Sequence, residues 1–518
     1  MLVLFVDLAV SGCAGVALWS AFPSLSWWWM TIPALAVYFS RLEGRGLGRM
    51  VLNTIVFAGC WWIPLVSWVP LATGGVLPWI ALAATQIIAL VVWVVIVRLS
   101  RAWVWTSRAL AQILVYSLTW AGVEQLRSHY PWTGFPWGNV AMPQVDSPLG
   151  RLAPWGGEVL VSVVTVALAV ACRLVASRGR RGTSRSVPVR LRAALAIAAV
   201  SVVGATALIP LDSGGESGAL RVGVIQGDVE LPGALTFSEE GKVTANNARV
   251  TRELAESGEE VDLVIWGETG ADRDPRESRL VTTILDSAAR SVNAPILFGF
   301  ANVADELRWN WLGIWNGGVG LDESTLYAKQ KPVPFGEFIP LRSLISRLAT
   351  QSAQVNKDMG AGSEPAIMSI VLLDGRTIPT AVGICFESAY SSVIGEGVRL
   401  GGQVIIAPSN NYHFRTSAES AQQAQLLRFR AMEFSRSAIQ ASTTGSSVVI
   451  RHDGTIQAST EPQTADLLVE SVPLRTSMTP AATMGDIPAQ TIMVMTGLWV
   501  FACLAAMVRG RVRSSSHK

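Results

Sequence analysis

The sequence predicts an α-helical membrane bundle of about eight spans that carries one exported domain of layered α/β construction. Three observations lead there. The 518 residues are 50% hydrophobic and only 15% charged, with a mean hydropathy of +0.39, too apolar for an ordinary soluble chain. Eight apolar runs punctuate the sequence. The arginines fall in alternate loops between them. The formal net charge of +3 is small, so the placement of the charges carries the information.

The apolar runs lie at about 1–20, 25–40, 51–70, 76–97, 103–123, 157–176, 191–210 and 488–508. A spanning helix needs about 20 apolar residues, and most of the runs qualify. The first two are the weakest, because 1–20 contains Asp7 and 25–40 is short and opens on Trp27, Trp28 and Trp29. The start lacks a basic n-region and is followed by further spans, so it reads as a retained segment and not a cleaved signal peptide.

Arginine placement sets the orientation. Arg41, Arg45 and Arg49 follow the second run, and Arg98, Arg101 and Arg108 follow the fourth. The stretch "CRLVASRGRRGTSRSVPVRLR" (172–192) follows the sixth, and the tail "VRGRVRSSSHK" follows the eighth. These are alternate loops, cytoplasmic by the positive-inside rule. Loops 71–75 and 124–156 and the long segment 211–487 then face outward. The expected organisation is a seven-helix membrane region over 1–210, an extracytoplasmic domain over 211–487, a last span over 488–508 and a basic cytoplasmic tail over 509–518.

"PLDSGGESGAL" (210–220) and "RTSMTPAATMGDIPAQ" (475–490) read as the linkers out of and back into the membrane. Between them, strand and helix signals alternate. Strands are expected at 220–227, 261–268, 294–300, 366–373, 380–385 and 402–410, with a strand–turn–strand at 447–456 around Asp453-Gly454. Helices are expected at 238–258, with Ser238 as N-cap, at 276–292 and at about 417–436. Continuous apolar strands of this kind are buried on both faces of a layered domain.

Of five cysteines, Cys13, Cys60, Cys172 and Cys503 fall in or beside apolar runs, and Cys385 alone lies in the exported segment. It has no partner there for an intradomain disulfide. It is either a small buried hydrophobe or a nucleophile. Three residues stand where strands end: Glu268 in "DLVIWGE", Lys329 in "LYAKQKPVPFGEF" and Cys385 in "TAVGIC". A thiol needs a nearby cation to lower its pKa and a base to take its proton. Lys329 supplies the charge and Glu268 the base. The developing oxyanion needs donors, for which the Lys329 ammonium and the backbone N–H of Phe386 are the candidates. The rival is a Cys–His dyad with His413 in "SNNYHF". No His/Cys cluster has metal-ligand spacing.

The strings "VIWGE", "YAKQKPVPFGEFIP", "GICFES" and "IIAPSNN", in that order, resemble the nitrilase superfamily. The Lys329-to-Glu337 spacing, "VPFGEFIP", the outward "TGFPWGNVA" (133–141) and "RFRAMEFSRS" (428–437) are similar to the apolipoprotein N-acyltransferases. The resemblance covers essentially the whole chain. It implies a nitrilase-like αββα sandwich between the seventh and eighth spans, and acyl transfer from a membrane phospholipid to the N-terminal amine of a diacylglyceryl lipoprotein through a cysteine thioester. It implies Cys385 as nucleophile, Glu268 as general base and Lys329 as oxyanion partner, with Glu337 orienting the lysine and Phe386 and Glu387 in support. It implies a bacterial plasma-membrane protein, with neither cofactor nor metal and with no nucleic-acid partner.

Four positions depart from the family pattern. Gly267 stands where Pro is common and Phe386 where Tyr is common. Thr443 replaces the Asn of Asn–Thr–Gly, and Phe237 is the candidate for an aromatic that is commonly Trp. Two stretches, "LRWNWLGIW" (307–315) and "PLRSLISRLATQ" (340–351), read either as site-covering loops or as ordinary packing. Glu124 and Arg127, at the outer end of the fifth run, read as a structural pair first and as a seat for a phospholipid head group second. A membrane-tethered amidase or nitrilase-type hydrolase has no need of seven preceding spans, and a decayed scaffold predicts loss of a triad member. These contrasts separate the alternatives.

Overall fold

The computed structural model describes residues 2–177, 187–211, 216–229, 239–343, 345 and 355–515. The chain divides into two compact units. The first comprises Met1–Ser67, Leu77–Pro210 and Asp486–Lys518, and the second Trp68–Val76 and Leu211–Gly485.

The first unit is helical. Its helices are α1 (Leu2–Trp19), α2 (Thr31–Leu42), α3 (Leu47–Leu65), α4 (Val76–Ser100), α5 (Ala109–His129), α6 (Ala153–Ala176), α7 (Val189–Leu208) and a C-terminal helix, Ile487–Ser515. Each coincides with one expected apolar run. Five stretches are long and apolar enough to cross a membrane: Leu2–Trp19, Val76–Ser100, Pro148–Ala176, Val189–Leu208 and Ile487–Arg509. The other three helices fall short for readable reasons. The 12 residues of α2 rise only about 18 Å, less than the hydrocarbon core of about 30 Å. α3 carries Arg49, Asn53 and two tryptophans, and α5 ends on Glu124, Arg127 and His129.

Several charged residues inside this unit are paired. Asp7, the residue that weakens the first run, is 2% exposed and lies 2.6 Å from Arg49, 2.8 Å from Arg45 and 3.6 Å from Arg41. Arg127 donates to the carbonyls of Phe135 at 3.1 Å and Trp137 at 2.8 Å, to Gln86 at 3.3 Å and to Asn139 Oδ1 at 2.6 Å. Glu124, 3.8 Å from Arg127, accepts from the Val140 N–H and the Ser162 hydroxyl. Asn139 also donates to Glu158 at 2.7 Å. The "TGFPWGNV" loop is thus tied to helix side chains at nearly every turn.

In chain order the second unit runs β1 (Glu216–Gln226), α8 (Lys242–Ser257), β2 (Leu263–Trp266), α9 (Arg279–Val292), β3 (Ile296–Ala304), β4 (Leu307–Asn316), β5 (Gly320–Leu321) and β6 (Tyr327–Ala328). It continues with β7 (Ile367–Val371), β8 (Thr377–Val382), α10 (Ser391–Arg399), β9 (Val404–Ser409), α11 (Glu419–Phe434), β10 (Ala438–Ser442), β11 (Val448–Ile450), β12 (Ile456–Ser459) and β13 (Asp466–Arg475). One sheet is ordered β13-β1-β2-β3-β4-β5, with β6 on β4, and the other β12-β11-β10-β9-β8-β7. Each sheet has three parallel strands at its heart, β1-β2-β3 and β8-β9-β10, joined by helical crossovers, as parallel pairing requires.

The helices cover the outer faces. Leu254 of α8 and Leu285 of α9 pack on Trp266 and Phe298, and Val398 of α10 and Leu427 of α11 pack on Ile405 and Ala438. The inner faces meet through β1, β2 and β10, where Gln226 Oε1 accepts from Ser447 and Thr460. The unit is an αββα sandwich.

Several expectations need correction. "LRWNWLGIW" is not a covering loop but β4, paired along its length with β3. β1 begins at Glu216, so the outward linker is shorter than 210–220. α8 begins at Lys242 behind Gly241; Ser238, the expected N-cap, and Phe237 lie outside the described residues, as do residues 344 and 346–351 of the second expected loop. β10 and β13 were not expected. The segment 71–75, expected as a loop, belongs to a short stretch whose residues Val69–Thr73 are helical. There Trp68 donates its indole N–H to Gln422 at 3.1 Å and meets Phe414 edge-on at 5.3 Å.

Candidate active site

Glu268, Lys329 and Cys385 come together, each just beyond a strand and not in its last position. Glu268 stands two residues after β2, Lys329 follows β6 directly, and Cys385 stands three residues after β8. Two glycines make the convergence possible. A Cβ on Gly267 would lie 2.6 Å from the Thr443 backbone N and Oγ1, and one on Gly299 would lie 2.8 Å from Glu268 Cα. Neither position has room for a side chain. Thr443 Oγ1 uses the space beside Gly267 to donate to the Glu268 carbonyl at 2.7 Å. The departures at 267 and 443 are therefore one packed pair that fixes the backbone under Glu268.

Glu268 is 6% exposed and Lys329 1%. The Lys329 ammonium lies 2.7 Å from Glu337 Oε1 and 3.5 Å from Glu268 Oε1. Glu337 is held from behind by the Val333 N–H at 2.8 Å. Glu268 Oε1 also accepts from Asn310 Nδ2 at 2.7 Å, and the side-chain Oδ1 of Asn310 is buried with no partner among the described residues, while its backbone carbonyl accepts from the Lys329 N–H at 2.9 Å. Burial opposes the Lys329 charge, but Glu337 and then Glu268 outweigh it and hold its pKa well above the ordinary lysine value. The lysine is a permanent cation.

Cys385 opens a short turn, Cys385–Ala389, with φ of +54°, a conformation that costs a non-glycine residue and persists only where its surroundings impose it. Glu387 imposes it. Fully buried, Glu387 accepts from the Ile384 N–H at 2.7 Å, the Gln330 and Lys331 N–H groups at 2.7 and 2.9 Å, and the Tyr327 hydroxyl at 3.0 Å. One carboxyl thus ties the cysteine turn to the chain on either side of Lys329. Burial pushes its pKa up, while these donors favour its charge. Phe386 is buried and meets Tyr390 edge-on at 5.5 Å.

The thiol itself differs from the sequence expectation. Burial pushes the Cys385 pKa well above the ordinary value, Glu268 adds to the shift, and Lys329 opposes it without prevailing. The ammonium is already committed to two carboxylates, so the resting sulfur keeps its proton. The arrangement suits a base that removes the proton as the sulfur attacks, and not a preformed thiolate.

His413 does not join the site. It packs against Tyr412 with ring centroids 3.6 Å apart and planes tilted by 39°, and burial lowers its pKa to about 4. Two residues that the sequence reading missed do join it. Asn310 hides in an apolar strand, and its only sequence signal is polarity at an inward position of "RWNWLG". Glu419, the first residue of α11, is 4% exposed and acts electrostatically on both Cys385 and Glu268. It looks like an ordinary acid in a helix first turn, so nothing in the string marks it.

Residues 14–171 match the family described as apolipoprotein N-acyltransferase N-terminal domain. An apolipoprotein N-acyltransferase of Mycolicibacterium smegmatis is 29% identical, covering 96% of this chain and 84% of its own length. One of Ralstonia nicotianae is 27% identical over 95% of this chain and 91% of its own length. Among solved structures, an amidase from Nesterenkonia sp. AN1 in complex with acrylamide aligns with a TM-score of 0.37 at 14% identity, over 52% of this chain and 93% of that one.

Proposed function

The chain belongs to the apolipoprotein N-acyltransferases, and from that premise we propose that Cys385 carries the acyl group between a membrane phospholipid and the N-terminal amine of a diacylglyceryl lipoprotein. The observation that carries this reading is the ammonium of Lys329 seated between Glu337 and Glu268, within electrostatic range of the strained Cys385.

The proposed chemistry has two halves. Glu268 takes the thiol proton as the sulfur adds to the ester carbonyl. The Lys329 ammonium balances the charge that grows on the carbonyl oxygen, a contribution a fixed cation makes without reorganisation. The C–O bond then breaks, and Glu268 returns the proton to the departing lysophospholipid oxygen. In the second half the acceptor nitrogen adds to the thioester, the C–S bond breaks, and a proton passes through Glu268 to the sulfur. Asn310 and Thr443 keep the Glu268 carboxylate aimed, and Glu387 keeps the cysteine turn against Lys329. Water must stay out while the thioester waits.

The reading places residues 211–487 on the outer side of the membrane and the arginine-bearing loops and C-terminal tail in the cytoplasm, following the positive-inside pattern. Both substrates are then lipid-anchored in the leaflet that the catalytic unit faces.

The test is direct. Purified enzyme given a defined phospholipid should gain the mass of one acyl chain on the peptide containing Cys385, and lose it on addition of a diacylglyceryl-cysteine peptide as the N-acylated product appears. Cys385→Ala should lower transfer by at least about 10⁴-fold, the scale of nucleophile loss in other acyl transferring enzymes, without loss of fold. Acyl release to water alone, with the peptide unmodified, would make the chain a hydrolase instead.

A further inference from the structure

The second half-reaction, as proposed above, needs one proton acceptor more than the triad offers. An α-amino group ionises near pH 8, so the acceptor reaches the site largely as R–NH3+. Its nitrogen has no lone pair until a proton leaves. Attack then forms the C–N bond and breaks the C–S bond, and the nitrogen gives up a second proton that Glu268 passes to the sulfur. The sum is thioester plus R–NH3+ giving amide, thiol and one free proton. Glu268 handles the second proton. The first needs another base.

We infer that Glu419 is this base, receiving the first proton from the incoming ammonium before the amine attacks the thioester. The step rests on the proposed thioester route. The carboxyl sits at the start of α11, 4% exposed, and accepts one hydrogen bond, from Asn411 Nδ2 at 2.8 Å. Every other acid that acts on Cys385 is engaged by a cation, Glu268 and Glu337 both by Lys329. Glu419 has no cation among the described residues. The titratable groups that face it are Glu268 beyond β2 and Cys385 beyond β8; Asn411 and, through Asn411, Gln423 are its neutral neighbours. A buried carboxyl without a cation, beside the atoms that an ammonium must reach, is complementary to that ammonium.

The protonation states close the balance. Burial pushes the Glu419 pKa to about 8, with Glu268 adding to the shift and Asn411 opposing it, so the resting carboxyl is mostly neutral at pH 7. An arriving ammonium supplies the missing cation, and the Glu419 proton leaves to solvent. The carboxylate then takes a proton from the ammonium, whose own pKa is similar. One proton has been released, which is the proton the overall equation requires.

The experiment separates the half-reactions. Acyl-enzyme is formed on wild-type chain, Glu419→Gln and Glu419→Asp, then mixed with either a diacylglyceryl-cysteine peptide or hydroxylamine, a nucleophile already neutral at pH 7. In Glu419→Gln, acyl-enzyme should still form, and its rate is the reference against which the second half-reaction is read. Its aminolysis by the peptide should fall at least about ten-fold at pH 7, within the range for a positioned base, and recover toward about pH 9.5 as the peptide amine deprotonates in solution. Hydroxylamine release should not change, and Glu419→Asp should regain part of the peptide rate. Equal loss with both nucleophiles, loss of acylation in both variants, or an unchanged peptide rate would each overturn the assignment. A wild-type chain that never forms the thioester would overturn the proposed function together with it, whereas normal thioester formation with an indifferent Glu419→Gln would overturn this step alone.

Discussion

The Arg127 cluster of the first unit and the Lys329 cluster of the second start from the same parts. Each buries one cation with carboxylates close by. Around Arg127 the two terminal guanidinium nitrogens donate to two backbone carbonyls and to the side-chain oxygens of Gln86 and Asn139, while Glu124 accepts from Val140 and Ser162. The planar fork suits a site meant to stay closed. Around Lys329 the cation is a single ammonium. Among the described residues Asn310 Oδ1 has no partner and Glu419 has no cation, and a cysteine sits in a strained turn. The difference is between a cluster whose cation is held mainly by backbone and amide oxygens and one whose cation is held by carboxylates within electrostatic range of a thiol. Burial of charge is common to both, so burial alone does not identify a working site.

Mutations at the two clusters should therefore fail in opposite ways. Glu268→Gln should lower acyl-enzyme formation by about 10²–10⁴-fold with little change in thermal unfolding, measured by thioester accumulation and by a melt of the detergent-solubilised protein. Arg127→Leu should do the reverse. Leaving Glu124 buried without its cation should destabilise the protein by about 3–5 kcal/mol, while the fraction that remains folded turns over at a near-normal rate. An Arg127→Leu protein of undiminished stability that is catalytically dead would erase the distinction. Gly267→Ala tests a smaller lever inside the reactive cluster. Its methyl group would collide with Thr443 backbone, at about 1–3 kcal/mol for overpacking, and should slow acylation by moving Glu268. Thr443→Ala should cost about 1 kcal/mol for the lost hydrogen bond and should not rescue Gly267→Ala, because the backbone nitrogen remains in the way.

A further effect is a pH dependence of stability. Glu419 has a folded pKa of about 8, above the ordinary carboxyl value near 4.3. Below about pH 4 the group is protonated in folded and unfolded chains alike, and its contribution is fully present. As pH rises from there through 8 the unfolded chain ionises first, and stability drains away. Glu419→Gln should flatten that part of the stability–pH curve, as read by unfolding midpoints between about pH 5 and 8.

Much of this was legible in the string. Hydropathy located all eight helices of the first unit, because a segment that buries its whole circumference has to be apolar throughout. Arginine spacing anticipated where Asp7 would find its partners only in retrospect, since the pairing needs α1 and the loop after α2 to meet. The parallel strands were visible as uninterrupted apolar runs, whereas β13, with "DLLVESVPLR", mixes exposed and buried positions and gave no such signal. Glu268, Lys329, Glu337, Cys385 and Glu387 were found because they sit in short motifs of fixed spacing. Asn310 and Glu419 were not, because each acquires its role from strands and helices far away in sequence. The pairing of Gly267 with Thr443 was equally invisible, since the sequence shows two unusual residues and only their contact makes them one.

The short stretch at Trp68 changes what a minimal enzyme is. A fragment beginning at residue 211 would contain every acid, base and thiol discussed above, yet it would leave Phe414 without the indole that covers its edge and would take the indole N–H from Gln422, three residues beyond Glu419. Such a truncation should come out of a column sticky and sluggish. A synthetic peptide spanning 68–76, added separately, should quieten it, as a missing tile does when pressed back into a mosaic.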